Sequence, residues 1–256
     1  MSKETSSPNS DVATTPSARS LGNPPPDSVV VQADDATQQV VTEALHSLWA
    51  VANTLSRIQP AERERFGVTV FGSARIQPDH MLYREVKRLT TRLSEMRCDI
   101  ITGGGPGLMQ AANEGSQAGD PHDEASSIGV GIQLPFETGA NPFVEKVYEH
   151  ETFFTRLHQF VRLSHAFVVV SGGIGTTLEA LMVWQLLQVR HIHNVPLVFV
   201  GNMWRGLLTW AKHSMLSTSP PLASEADLNL PVCVDTVDEA LATLRPYIDA
   251  FKQQRP

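Results

Sequence analysis

Two glycine-rich runs carry the residues best suited to chemistry. The first is Thr102-Gly103-Gly104-Gly105-Pro106-Gly107-Leu108-Met109, the second Ser171-Gly172-Gly173-Ile174-Gly175-Thr176-Thr177-Leu178-Glu179. Each follows a short apolar stretch and opens a helix-like one. Glycines there allow positive φ and let the backbone approach a ligand closely. The free N–H groups and dipole of a helix start attract an anion, and Thr176 adds a hydroxyl. Either run alone reads equally as a tight structural connection; the two together favour a phosphate-bearing ligand. Glu179 lies three residues beyond Thr176 on the same helix face, about 4.5 Å further along the axis at ~1.5 Å per residue. A carboxylate there repels the phosphate itself but suits the next group along, a ribose hydroxyl or positive charge developing at the anomeric carbon. The alternative is a first-turn acid held by the helix dipole. Arg156 is a fork-shaped donor for phosphate or base or, like nearby Arg162, a solvated helix cation, and sequence physics alone does not choose between the two arginines.

Other chemistries find no residues. A dinucleotide G-x-G-x-x-G fails because Leu108 occupies the third glycine position, and no Gly-Lys-Ser/Thr, G-x-S-x-G, H-E-x-x-H or paired C-x-x-C is present. The His191-x-His193 pair is a weak metal signal that reads better as a loop, so no metal site is expected.

The elements that must hold these turns alternate regularly. Strands are predicted at Val68–Phe71, Asp99–Thr102, Ser127–Gln133, Val144–Tyr148, Ala166–Val170, Pro196–Val200 and Val232–Val234. Helices are predicted at Leu82–Met96, Leu108–Ala118, Thr152–Leu163, Thr176–Val189, Trp204–Ser214 and Val237–Phe251. Strand-then-helix repetition implies an α/β fold, a Rossmann-like, doubly wound parallel sheet with helices on both faces. The run Phe167-Val168-Val169-Val170 fits a strand buried on both sides. In such sheets ligands sit at the carboxyl ends of the strands, where both glycine runs fall.

With 256 residues and 41% hydrophobic content, one domain plus a tail is expected: a disordered segment over 1–34, rich in Ser, Thr and Pro, and a nucleotide-binding domain over 35–256. Val40, Val41, Ala44, Leu45, Leu48, Val51 and Leu55 form a helical stripe that reads as a core-edge cover or an oligomerisation or lid helix. A net charge of -7 gives no footprint for nucleic acid. Cys98 and Cys233 read as strand-start residues, not a disulfide framework. No apolar stretch reaches membrane-spanning length and no signal pattern opens the chain, so no membrane contact and a cytoplasmic location are expected.

The paired runs, in this order and over roughly Gly67 to Trp210, resemble the LOG (LONELY GUY) family, whose pattern is P-G-G-x-G-T-x-x-E; Phe71-Gly72-Ser73-Ala74-Arg75 resembles its first strand and turn. The resemblance implies a nucleoside 5′-monophosphate phosphoribohydrolase acting on AMP or a cytokinin riboside monophosphate, needing no metal or organic cofactor, and working as a homodimer or larger assembly. It makes Arg156 and Glu179 the catalytic pair. Gly172, Gly173, Gly175 and Thr176 would hold the 5′-phosphate, and Gly72, Ser73, Gly104, Gly105, Gly107 and Met109 would complete the nucleotide site. Two positions depart from the family: Ser171 replaces its proline, and Leu157 follows Arg156 where lysine is usual. A non-catalytic nucleotide sensor or carrier of the same fold is the alternative. Amino-acid decarboxylation, suggested by an older family label, lacks a cofactor-type lysine near the turns.

Overall fold

The computed structural model describes residues 63–132 and 139–254, together with Glu43. The expected 1–34 tail and the helical stripe over 35–58 lie outside the described residues, Glu43 apart. All the other described residues belong to one compact unit.

Seven strands form one sheet: β1 (Gly67–Phe71), β2 (Asp99–Thr102), β3 (Ser127–Ile132), β4 (Lys146–His150), β5 (Ala166–Val169), β6 (Leu197–Val200) and β7 (Pro231–Val234). The spatial order is β4-β3-β2-β1-β5-β6-β7, and every pairing is parallel. The order reverses at β1, where the chain leaves β4 at one edge and returns beside β1 as β5. That reversal is the switch point at which loops diverge and leave a crevice.

The helices are α1 (Met81–Glu95), α2 (Leu108–Gly119), α3 (Phe153–Leu163), α4 (Ile174–Gln188), α5 (Asn202–Leu216), α6 (Glu225–Leu228) and α7 (Val237–Gln253). Alternation along the strands separates two cores, as a sheet covered on both faces requires. Val68, Val70, Ile100, Val168 and Val198 pack with Val86, Leu89, Leu108 and Leu244 of α1, α2 and α7. Phe71, Ile101, Ile128, Phe167, Val169 and Phe199 pack with Phe160, Val183 and Trp204 of α3, α4 and α5.

Most expected elements are present, with differences at their ends. The strand expected at Val144–Tyr148 is Lys146–His150: Val144 is used in a turn, its N–H donating to Asn141 O, and the ladder with β3 begins at Ile128↔Lys146. Helix α4 begins two residues before Thr176, so its first turn includes Gly175. The short α6, closed by a capping box in which Ser224 and Asp227 bond each other's backbone N–H, has no counterpart in the expected elements. Cys98 is buried just before β2, but Cys233 is half-buried within edge strand β7 rather than at a buried strand start.

Candidate active site at the switch point

Three turns meet above the carboxyl ends of β1, β2 and β5, and short backbone bonds lock them together. The Ser73 N–H donates to Ser171 O at 3.1 Å, while Ser73 O accepts from Leu108 N at 2.8 Å. Close passage explains two glycines. Gly107 has φ 69°, and a Cβ on it would collide with the Ser73 carbonyl oxygen. A Cβ on Gly72 would strike Val170 and Leu108. Gly107 is therefore a crossing point of two turns and does not line the cleft, whereas the other nucleotide-site residues expected from sequence all do.

The β2 turn is held from below by a buried polar network that no sequence motif announces. Thr102 Oγ1 donates to Asn113 Oδ1 (2.7 Å) and accepts from the Gly104 N–H (2.9 Å). Asn141 Nδ2 donates to Gly104 O, Gly105 O and Asn113 Oδ1, each at 3.0 Å. Asn113 Nδ2 closes on Ser127 Oγ at 2.9 Å. Gly104, at φ 75°, is fixed in the left-handed region by these bonds. The run Asn141-Pro142 is the one sequence signal that could have drawn attention to this anchor, since Asn before Pro favours a turn.

At the β5 turn the backbone enters α4 with Gly173 as an N-cap that offers no side-chain bond. The first N–H groups of α4 have no acceptor within the helix. Among the described residues nothing occupies the space where a Cβ on Gly173 or Gly175 would project, and the Thr176 side chain fills the space over Gly172. The turn thus presents bare N–H groups beside a buried Thr176, the arrangement that binds a phosphate. Ser171 keeps the turn tied through its carbonyl to Ser73, a bond that a proline at this position would make equally.

One turn deeper, Glu179 is buried and meets Arg156: Nη1 donates to Glu179 Oε1 at 2.9 Å. Arg156 Nε donates to Val130 O on β3 at 2.8 Å, and its guanidinium lies over the Phe160 ring, 5.2 Å from the centroid. A Cβ on Gly103 would run into Arg156 Nη2. The cation is therefore seated among β3, the β2 turn and α4. Arg162, near the C-terminal end of α3, does not line the cleft. Burial lifts the Glu179 carboxyl from 4.5 to about 7, although Arg156 pulls it down. The acid thus sits near its midpoint at neutral pH, where proton transfer is most effective. His150, at the end of β4, is held below the ordinary imidazole range by burial, then by Arg156 and His158.

These groups border a cleft of about 850 Å³, of a size for a small organic ligand. Among the described residues no set of three or more His, Cys, Asp and Glu is grouped to hold a metal, and no helix is long and apolar enough to cross a membrane.

Comparison with known proteins bears on the family and the fold. A pyrimidine/purine nucleotide 5′-monophosphate nucleosidase of Escherichia coli strain K12 is 29% identical over 140 residues, 52% of this chain and 30% of that relative. The chain thus matches less than a third of the relative's length. Two solved structures share the fold at 16% identity. The molybdenum cofactor binding protein of Rippkaea orientalis aligns with TM-score 0.53 over 73% of this chain and 99% of its own. The molybdenum cofactor carrier protein of Chlamydomonas reinhardtii aligns with TM-score 0.51 over 72% and 98%. The family model described as possible lysine decarboxylase matches residues 109–244, about half of the chain, and with it the chain belongs to that family, the LOG family.

Proposed function

We propose that this protein hydrolyses the N-glycosidic bond of a nucleoside 5′-monophosphate. The C1′–N bond breaks, water supplies hydroxyl to C1′ and a proton to the base, and the products are free base and ribose 5-phosphate. The observation that carries this reading is the buried Glu179–Arg156 pair one turn below a phosphate-ready helix start. Phosphate on the first turn of α4 sets the ribose over Glu179. The ionised carboxylate stabilises positive charge at C1′ and orients the attacking water. Arg156 holds the carboxylate in place and keeps it ionisable despite its burial. Phosphate binding alone needs no buried carboxylate, which favours an enzyme over the carrier role named for the fold neighbours. The E. coli relative's name supports the monophosphate class; the AMP or cytokinin type is what the family resemblance implies, and the lining at Glu149 favours a guanine-type base instead.

The working unit is a homo-oligomer in this reading. Helix α4 buries Ala180, Val183, Trp184 and Leu187 yet exposes Ile174, Leu178 and Leu181 on its other side. A helix apolar all round is normally covered, and a second copy of the chain is the cover proposed.

The test is product release. Purified protein is incubated with AMP, GMP, CMP, UMP and isopentenyl-AMP, and free base is separated by chromatography. Base release that disappears in Glu179→Gln is expected. Binding without release from any nucleotide would transfer the site to a sensor or carrier.

A further inference from the structure

Beyond Glu179 the cleft continues toward the β4 edge of the sheet. Arg156 spans the step, bonding Glu179 at one end and Val130 O at the other, so the reacting carboxylate stands one guanidinium away from β3. On β3, Gly129 and Gly131 line the cleft without side chains; Gly129 packs against Val144 and Gly104, whereas a Cβ on Gly131 would, among the described residues, meet only Tyr148 O at 3.9 Å. Gly131 is paired with Glu149 on β4. Alternation along β4 brings Val147 and Glu149 to the cleft, while Lys146 Nζ bonds Ser126 Oγ instead. The result is an open backbone position at Gly131 between the Glu179–Arg156 pair and an exposed carboxylate one strand, ~4.8 Å, further on. A ring attached at a C1′ held over Glu179 can lie across that position with its far edge toward Glu149.

A carboxylate only accepts hydrogen bonds. Guanine offers it two adjacent donors, N1–H and the N2 amino group. Adenine and cytosine offer one amino donor beside a ring-nitrogen acceptor, and uracil offers one N–H between two carbonyls. An acceptor facing a carboxylate is repelled, so the same residue attracts one base and rejects the others. Resting on the phosphoribohydrolase reading, we propose that Glu149 is a specificity-determining residue that selects guanine-type bases, those with two adjacent N–H donors, over adenine.

The experiment compares wild type with Glu149→Gln, a change at an exposed position that leaves the core untouched. In wild type, kcat/KM for GMP exceeds that for AMP by about tenfold or more, the scale set by one charge-assisted pair at a partly hydrated site. Glutamine supplies one acceptor and one donor, matching adenine and cytosine, so Glu149→Gln reverses the order to favour AMP and CMP. A wild type that prefers AMP, or a GMP/AMP ratio unchanged by Glu149→Gln, overturns the assignment while base release keeps the enzymatic reading intact. If no nucleotide is hydrolysed, equilibrium dialysis with labelled GMP and AMP decides the assignment alone. GMP retention that passes to AMP in the variant supports it, and equal retention refutes it.

Discussion

Replacing Glu179 with glutamine isolates the energetic signature of the site. The carboxyl is raised from 4.5 to about 7 in the folded protein, chiefly by burial. Between those values the folded chain holds a proton that the unfolded chain has released, so wild-type stability falls as pH rises through the window. Each pH unit carries about 1.4 kcal/mol. Integrated from pH 5 to pH 8, the loss is about 2.5 kcal/mol, and it is complete above the folded value. Glutamine does not titrate, so the Glu179→Gln protein lacks this contribution whatever the fixed cost of the change.

The assay is urea unfolding of both proteins at intervals from pH 5 to pH 8. The wild-type advantage over the variant should shrink by about 2.5 kcal/mol across the range, other titrations cancelling in the difference. The same group should govern catalysis: kcat/KM should rise with pH and level off above about 7, as Glu179 ionises. Parallel stability curves would mean that Glu179 titrates as in water, and the argument from burial would fall with them.

Three further outcomes are expected from the site's construction. Gly107→Ala places a Cβ against the Ser73 carbonyl at a positive φ; it should lower stability by at least ~1–2 kcal/mol, read as a lower urea midpoint, and weaken nucleotide binding through displaced turns. Asn141→Ala strips the Gly104 and Gly105 carbonyls of a shared donor. It should cost about 1–3 kcal/mol and raise KM more than it lowers kcat, seen in steady-state kinetics of base release. Leu178→Glu puts a charge on the exposed apolar side of α4 and should convert the assembly to a monomer by light scattering; an unchanged mass would place the oligomer contact elsewhere.

Much of this architecture was legible in the sequence because most strands are short Val- or Ile-rich runs and most helices are amphipathic. The β5 turn was legible too, since Gly172, Gly173 and Gly175 are adjacent in the chain and the shape of the turn is local. The support beneath the β2 turn was not. Thr102, Asn113 and Ser127 come from three separate elements and Asn141 from a loop, and as single polar residues none differs in type from a surface residue. The short α6 escaped for another reason: four residues give no periodicity, and only the bonds between Ser224 and Asp227 mark it.

The choice between Arg156 and Arg162 shows why the sheet had to be known before the site could be. Both arginines lie on α3, six residues apart, so no local rule separates them. Thr152 caps the helix by accepting from the Thr155 N–H, which starts α3 beside the end of β4 and puts Arg156 near its beginning, level with the carboxyl ends of the strands. Arg162 comes almost two turns later, toward the opposite side of the sheet. The Val130 carbonyl that fixes Arg156 belongs to β3, and the Glu179 it holds comes after β5; these strands lie three places apart in the sheet and are brought within reach of one guanidinium only by the divergence at β1. Gly103 completes the seat, since any side chain there would occupy the guanidinium's position. The arginine is selected by topology, its orientation by a backbone carbonyl, and the room it needs by a glycine from a third strand.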